Sequence, residues 1–465
     1  MRTLSTYRNA YFLGIGGIGM SAIARYLMEQ GIQVFGYDKT KTKITEDLTN
    51  LGAEITFSDA ISKIPLTITD NLTESLFIIT PAIPSDHPQK IWLNEHGIEP
   101  LKRSQILGLI TQNTICLAVA GTHGKTTTST LLAHMLKENN INFSAFLGGI
   151  SSNYNTNYVT HNGGVNLFNL PITIVEADEF DRSFHRLKPS ASIVTSMDAD
   201  HLDIYESTDA FNQAFAHFIG LVEDSKEHRP NIFIHESVEL ELTNSNAQSY
   251  GTNTDNQNRY SHVKIKDGRF YFEFDTDDQN EEYEVGLPGY HNIANATAAI
   301  SLCYHFLNVP LVDLKDSLKS FKGVYRRFEF LVRNDQYIVI DDYAHHPTEL
   351  KQIIHSVKNL FPKKQLTVVF QPHLFSRTRD FANEFASELS EVDILKLLDI
   401  YPAREIPIDG IDSNWLNSLI NNKDSMVIGK QELLEWIKEA KPELLLILGA
   451  GDVDQLREPI IKIYE

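Results

Sequence analysis

Residues Ile115 to Leu136 read ICLAVAGTHGKTTTSTLLAHML, and the rest of the chain is organised around them. The apolar run Ile115 to Ala120 predicts a buried parallel strand. A turn of Gly121, Thr122, His123, Gly124, Lys125 and Thr126 follows, and then Leu131, Leu132 and Met135 recur at helical spacing. Strand, glycine-rich turn and helix in that order are the setting of a phosphate-binding loop. The turn's N–H groups and the helix N-terminus present partial positive charge to a polyphosphate. Lys125 would then reach the β- and γ-phosphates, and the Thr126 hydroxyl would ligate Mg²⁺. The usual pattern begins with glycine where this chain has Val119, so the loop is a variant. The plainer alternative is a tight turn that merely tolerates Gly-Lys-Thr. Agreement of strand, turn and helix favours a nucleoside triphosphate site.

Length and composition frame that reading. A chain of 465 residues predicts about three domains. A formal charge of −20 argues against a nucleic-acid partner, because it repels phosphate backbones. Anionic substrates must therefore be met by local clusters of Arg, Lys and helix ends. Cys116 and Cys303 lie far apart in apolar surroundings, so no disulfide framework is expected. The polar start of the chain and the lack of an 18-residue apolar run predict a cytoplasmic protein that does not enter a membrane.

The N-terminal part carries a second glycine loop. After the short strand Tyr11 to Leu13 come Gly14, Gly16, Gly17, Ile18, Gly19, Met20 and Ser21, with Ala22, Ile23, Tyr26 and Leu27 on one helix face and Gly31 as C-cap. A strand from Gln33 to Tyr37 ends at Asp38, which completes a Gly-x-Gly-x-x-Gly fingerprint with a downstream acid. Taken alone this places a nucleotide diphosphate on the helix end; NAD, FAD and a UDP-sugar all satisfy it. Leu76 to Ile79 then runs into Thr80, Pro81, Ala82 and Ile83, a turn at a strand's C-terminal end, where open α/β sheets bind ligands. Ile98 to Leu107 reads as the exit from this domain.

Beyond the phosphate loop, Ile172 to Val175 delivers Glu176, Asp178, Glu179 and Asp181 at a strand end, where a Mg²⁺-holding carboxylate stands; a solvated acidic loop is the alternative. Ala191 to Thr195 leads into Asp198-Ala-Asp200-His201-Leu-Asp203, in which His201 is either a metal ligand or a helix cap. The stretch 262–274 alternates about Asp267-Gly268 and predicts a hairpin with Val263, Ile265, Phe270 and Phe272 on one face, a small β excursion within the second domain. Gly289-Tyr-His291-Asn292-Ile-Ala-Asn295 opens a helix, and its polar side chains are either caps or adenine contacts.

From Arg326 and Arg327 the chain enters a third domain. Strands at Tyr337 to Ile340, Leu366 to Phe370, Leu395 to Leu398 and Leu444 to Leu448 each end in a polar cluster, with helical patterns such as Glu349 to Leu360 between them. The prediction is an α/β protein of three domains on mostly parallel sheets: 1–107, Rossmann-like; 108–323, a P-loop domain with the β excursion; 324–465, Rossmann-like again. Arg404 and Glu405 read as an exposed loop without a role.

Six motifs in this order, GTHGKTT, EADEFD, DADHLD, GYHNIANA, YRRFE and DDYAHHPTE, resemble the bacterial Mur ligases, ATP-dependent amide-bond ligases of peptidoglycan precursor synthesis. The resemblance runs from Tyr11 to Gly451. GIGGIGMSAIA and FQPHLFSRTRD are similar to the member that joins L-alanine to UDP-N-acetylmuramate; the nearest sister attaches a preformed tripeptide to the same sugar nucleotide. The implied reaction activates the lactyl carboxylate as an acyl phosphate, which alanine's amine then attacks. The implied catalytic set is Lys125, Glu176, His201, Arg326 and Asp341. ATP would be held by Gly121 to Thr127 with His291, Asn292 and Asn295, and by Arg326 and Asp341. Two Mg²⁺ ions, for which Mn²⁺ can substitute, would bind at Thr126 with Glu176 and near His201. The UDP portion would lie on Gly14, Gly16 to Ser21, Asp38 and Thr80 to Ile83, and no nicotinamide is involved. Tyr343, His345, His346, His373, Arg377 and Arg379 would line the amino-acid side, with only one of the two adjacent histidines facing the cleft. Expected partners are the three small-molecule substrates, in a monomer or weak homodimer.

Overall fold

The computed structural model describes residues 4–198, 205, 207–222, 229–240, 246–266, 269–276, 279–403 and 405–465. Three sheets organise it, and their central strands are short apolar runs buried on both faces, as parallel sheets require. The chain divides into two compact units: Met1–Ser261, Glu273–Tyr283 and Ala294–Phe321 form the first, and His262–Phe272, Glu284–Ile293 and Lys322–Glu465 the second.

The first sheet contains β1 (Asn9–Leu13), β2 (Gln33–Tyr37), β3 (Glu54–Thr56), β4 (Ser75–Ile79) and β5 (Leu101–Lys102), all parallel, in the order β3-β2-β1-β4-β5. The order reverses at β1, so the glycine loop that follows β1 opens at the crevice where such sheets bind ligands.

The second sheet runs β15-β14-β13-β12-β11-β10-β6-β9-β7-β8, from β6 (Ile115–Ala120), β7 (Phe143–Ser151), β8 (Thr156–His161), β9 (Ile172–Glu176), β10 (Ala191–Val194), β11 (Ile232–His235), β12 (Ala247–Gly251), β13 (Asn258–Lys266), β14 (Arg269–Asp275) and β15 (Asn280–Val285). β6 pairs in parallel with β9 and β10, and this second reversal sets the phosphate loop at a crevice too. The antiparallel pair β7–β8 did not stand out in the sequence.

The expected β excursion takes another form. β11 and β12 continue the main sheet in parallel with β10, rather than forming a module of their own, because Ile232, Phe233 and Ile234 are buried like any central strand. The turn at Asp267-Gly268 lies outside the described residues. β13 and β14 are neighbours as expected; of the expected apolar face Phe270 and Phe272 are fully buried and Val263 half-buried, while Ile265 stays 37% exposed.

One core joins the first two sheets: Phe12, Ile23, Ile78 and Ile106 pack in the same cluster as Ala118, Phe146 and Val175. Tyr26 stacks edge-on to Phe146, and Asn157 of β8 donates to the Ser21 hydroxyl at 2.8 Å. Cys116 and Cys303 are free and buried, which agrees with the absence of a disulfide framework.

In the second unit, β16 (Glu329–Arg333), β17 (Ile338–Asp342), β18 (Leu366–Phe370), β19 (Ile394–Leu397), β20 (Ser425–Val427) and β21 (Leu444–Leu448) order as β16-β17-β21-β18-β19-β20, with only the β16 edge antiparallel. The four strands expected from their apolar runs are present with ends shifted by at most two residues. Among the described residues no helix is long and apolar enough to cross a membrane.

Candidate active site

The phosphate loop connects β6 to the helix Lys125–Glu138, whose N-cap is Gly124 in the left-handed conformation, φ +80°. A side chain there would be strained, and its Cβ would also fall 2.6 Å from Asn295 Oδ1. Asn295 thus packs on the loop. The Lys125 ammonium is ion-paired with Glu179, 2.8 and 2.9 Å from its two oxygens, and donates to the carbonyls of Gly121 at 2.5 Å and Thr122 at 3.4 Å. Burial opposes the Lys125 charge, but Glu179, Glu176 and Asp178 more than offset it, so the ammonium titrates above its ordinary range. Thr127 is buried, and no hydrogen bond of the Thr126 hydroxyl occurs among the described residues. His123 sits 3.3 Å from Asp198, and the Thr122 hydroxyl lies 2.9 Å from that of Ser196.

Register brings Glu176 to the loop: it pairs with Val119 at the end of β9, and its Oε2 accepts from Gly148 N at 3.1 Å. His201, with Asp200 and Asp203, lies outside the described residues. Among those that are described, no cluster of three His, Cys, Asp or Glu side chains is arranged to hold a metal.

The first glycine loop is braced by Asp38, whose carboxylate accepts from Gly16 N at 2.7 Å and Thr40 N at 3.0 Å. Gly14 N bonds to Tyr37 O, and Thr80 N bonds to Leu13 O at 3.1 Å, which draws the Thr80 to Ile83 turn beside the loop. Gly17 is exposed and Ile18 and Gly19 half-buried, whereas Met20 and Ser21 turn into the core. Pro81 and Ala82 stand exposed on the neighbouring turn.

Helix Tyr290–Ser301 is shared between the units, with His291 and Asn292 in the second. Asn292 donates to Pro288 O at 2.5 Å, closing the helix start, and burial with the nearby Arg327 lowers His291 to about 4.

Within the second unit Asp341 is fully buried and paired with both Arg457 and Arg326, the latter at 3.3 Å. Arg326 also donates to the carbonyls of Gly449 and Gly451, so Asp341 acts on its surroundings through Arg326. Tyr343 lies between the guanidinium groups of Arg326 and Arg327, 5.2 and 5.0 Å from its ring. His345 meets the Tyr343 ring at 5.4 Å and His373 at 5.7 Å, and His373 stacks on Tyr401. Burial, aided by His345 and Arg377, lowers His373 to about 4. The adjacent histidines diverge: His346 caps the helix Pro347–Leu360 and packs on Phe381. Arg377 bears on the His345–His373 pair, whereas Arg379 is exposed and tied to Asp380 at 2.7 Å. Glu405 is no idle loop residue. It accepts from Ser376 N at 3.1 Å and from the Ser376 hydroxyl, fixing the helix Phe375–Asp380 that carries Arg377.

Four partners escaped the sequence reading: Glu179, Arg103, Glu405 and Arg457. Glu179 stood within a quoted acidic run, but nothing local marked it as the partner of Lys125. The other three lie at positions with no motif.

Comparison with known proteins agrees in every part of the chain. Residues 9–114 match the model of the Mur ligase family, catalytic domain; residues 119–303 match the Mur ligase middle domain; residues 326–451 match the Mur ligase, glutamate ligase domain. The UDP-N-acetylmuramate–L-alanine ligase of Christiangramia forsetii is 42% identical over 464 residues, 99% of each chain. That of Flavobacterium psychrophilum is 44% identical over 455 residues, 97% of each. The crystal structure of the UDP-N-acetylmuramate–alanine ligase of Thermotoga maritima superposes with a TM-score of 0.79 at 26% identity, covering 98% of this chain and 99% of that one. A murein peptide ligase of Psychrobacter arcticus shares the fold, TM-score 0.68 at 18% identity over 98% of each chain. With a variant phosphate loop beside an acid-ended strand, a braced glycine loop, and family matches over all three sheets, the chain belongs to the Mur ligase family.

Proposed function

We infer that the chain is a UDP-N-acetylmuramate–L-alanine ligase, using ATP to form an amide in peptidoglycan precursor synthesis. The observation that carries this reading is the full-length similarity to relatives of that name at 39–44% identity. The tripeptide-adding sister is not favoured, since these full-length relatives at 39–44% identity carry the alanine ligase name, whereas solved structures of the tripeptide-adding type share 18 and 21%.

A carboxylate is a poor electrophile, so it must first be activated. A lactyl carboxylate oxygen attacks the γ-phosphorus of ATP, ADP leaves, and an acyl phosphate results. Alanine's neutral amine then attacks the acyl carbon, phosphate leaves, and the amine's extra proton passes to solvent or a base. Both steps concentrate negative charge, so electrostatic stabilisation dominates. Lys125 supplies it at the phosphate loop, where burial strengthens each interaction. Thr126 and Glu176 offer oxygen donors beside that loop, a set that suits Mg²⁺, with His201 proposed near a second ion. Mg²⁺, when bound, neutralises the transferring phosphoryl group.

Asn295, together with His291 and Asn292, is proposed to meet adenosine, and Arg326, oriented by Asp341, to approach the phosphates. On the amino-acid side, Tyr343, His345, His373 and Arg377 form a cluster whose guanidinium suits the alanine carboxylate. His346 and Arg379 are proposed to support this cluster from outside it. Mass spectrometry of the product from UDP-N-acetylmuramate, ATP and mixed amino acids tests the reading. An alanyl adduct is expected; a product formed only with tripeptide would overturn it.

A further inference from the structure

Arg457 belongs to no motif, yet it sits where two carboxylates need a cation. Glu329 on β16 and Asp341 on β17 are direct cross-strand partners. Like charges in that position repel each other, and the repulsion grows as water is excluded. Asp341 is fully buried, and the Glu329 side chain is 19% exposed. Arg457 opens the helix Arg457–Tyr464 and lies against both acids. Its Nη2 is 2.9 Å from Glu329 Oε2, and its Nη1 donates to Asp341 Oδ2. The guanidinium also stands 4.3 Å from the centre of the Tyr325 ring, and the side chain is 9% exposed. Arg457 is therefore engaged with protein groups and does not present itself to a ligand.

The same two acids hold Arg326. Glu329 Oε2 accepts from Arg326 N at 2.8 Å, and Asp341 Oδ2 lies 3.3 Å from Arg326 Nε. Both restraints matter, because Arg326 has φ +60°. A residue with a Cβ is strained in that left-handed region and stays there only if its surroundings fix it. Its guanidinium also meets the carbonyls of Gly449 and Gly451 and the face of Tyr343. Two arginines and two carboxylates balance, so taking away Arg457 leaves one negative charge in excess. The charged groups bearing on Asp341 are Arg326 from the preceding turn, Glu329 from β16 and Arg457 from the last helix. Burial and Glu329 push the Asp341 carboxyl up, and the two arginines oppose them. Without Arg457, Asp341 takes up a proton at higher pH and loosens its hold on Arg326.

We propose that Arg457 is a positioning residue for the reaction, acting through Glu329 and Asp341 to hold Arg326, which rests on the reading that Arg326 approaches the ATP phosphates. One guanidinium at the start of the last helix thus sets both the backbone and the side chain of another, 131 positions earlier in the chain.

Steady-state kinetics on wild type, Arg457→Met, Arg457→Lys, Arg326→Ala and the double variant Arg457→Met with Arg326→Ala test this. Arg457→Met keeps an apolar stem and removes the charge. Its kcat should fall about 10- to 100-fold, the size expected when a charged hydrogen bond is lost, while the KM for the sugar nucleotide stays within a few-fold. The acid limb of its kcat profile should move to higher pH by about 1–3 units, because Arg326 alone then opposes burial at Asp341. Arg457→Lys, with one ammonium for two carboxylates, should lose less; where the Met variant does not fold, it carries the same comparisons. In the double variant Arg457→Met should cost almost nothing beyond Arg326→Ala, since the route through Arg326 is already gone. A residue that served stability alone would cost the same factor in both backgrounds and leave the acid limb in place, and that result would overturn the proposal. A slow Arg326→Ala beside a normal Arg457→Met would defeat it while sparing the reading of Arg326. Wild-type turnover in Arg326→Ala would defeat that reading, and the role of Arg457 with it.

Discussion

Replacing Glu179 with Ala should destabilise the nucleotide-free protein and leave the nucleotide-bound protein much less affected. In the native pair the side chains of Lys125 and Glu179 are 13% and 3% exposed, and the charges stand 2.8 Å apart. Removing one member of such a buried pair costs roughly 3–5 kcal/mol, because the other charge is left without compensation. The Lys125 ammonium keeps the carbonyls of Gly121 and Thr122, and hydrogen bonds from a charged group recover about 1 kcal/mol of that. The net loss is therefore about 2–4 kcal/mol, or roughly 3–6 °C in the melting temperature of the first unit at about 2.1 cal/mol/K of unfolding entropy per residue. ATP brings anionic oxygens to the same ammonium, so the gap between variant and wild type should narrow as nucleotide saturates the site. Thermal melts with and without a non-hydrolysable ATP analogue read both effects. Glu179→Gln, which keeps the shape and an acceptor oxygen, should fall between the two. Equal melting temperatures without nucleotide, or an equal nucleotide shift in both proteins, would refute the idea that Glu179 compensates Lys125.

Three other perturbations separate parts of the site. Gly124→Ala forces a Cβ into a left-handed position 2.6 Å from Asn295 Oδ1, so ATP affinity should drop about tenfold by calorimetry; unchanged affinity would show that the loop shifts freely. Glu405→Ala removes the acceptor of Ser376 and should raise the KM for alanine several-fold while sparing that for the sugar nucleotide in steady-state assays. His291 and His373 both titrate below the ordinary histidine range, at about 4, chiefly through burial. Their protonated forms favour the unfolded chain, so their stabilisation is complete above about pH 6.5 and is lost as pH falls toward 4. Urea midpoints measured across that window should fall less steeply in His291→Asn and His373→Asn than in wild type, and parallel slopes would refute the assignment.

The sequence by itself determined much of this protein. Strands such as Ile115–Ala120 and Leu444–Leu448 are written as unbroken apolar runs, because a parallel strand is buried on both faces. Gly, Lys and Thr after such a run mark a phosphate loop through local backbone demands, so its position is legible without any knowledge of neighbours. The same locality sets the limit. Lys125 and Glu179 are 54 residues apart, Arg103 and Asp178 75, and Asp341 and Arg457 116. Each pair meets only because strand order and register bring it together: β9 lies beside β6 with Glu176 opposite Val119, and β17 lies beside β21. Likewise, two adjacent histidines carry no sign of which will cap a helix and which will join the Tyr343–His373 cluster. Backbone geometry is set over a few residues and can be read from them, but the pairing of buried charges is a property of topology, and only the tertiary structure decided it.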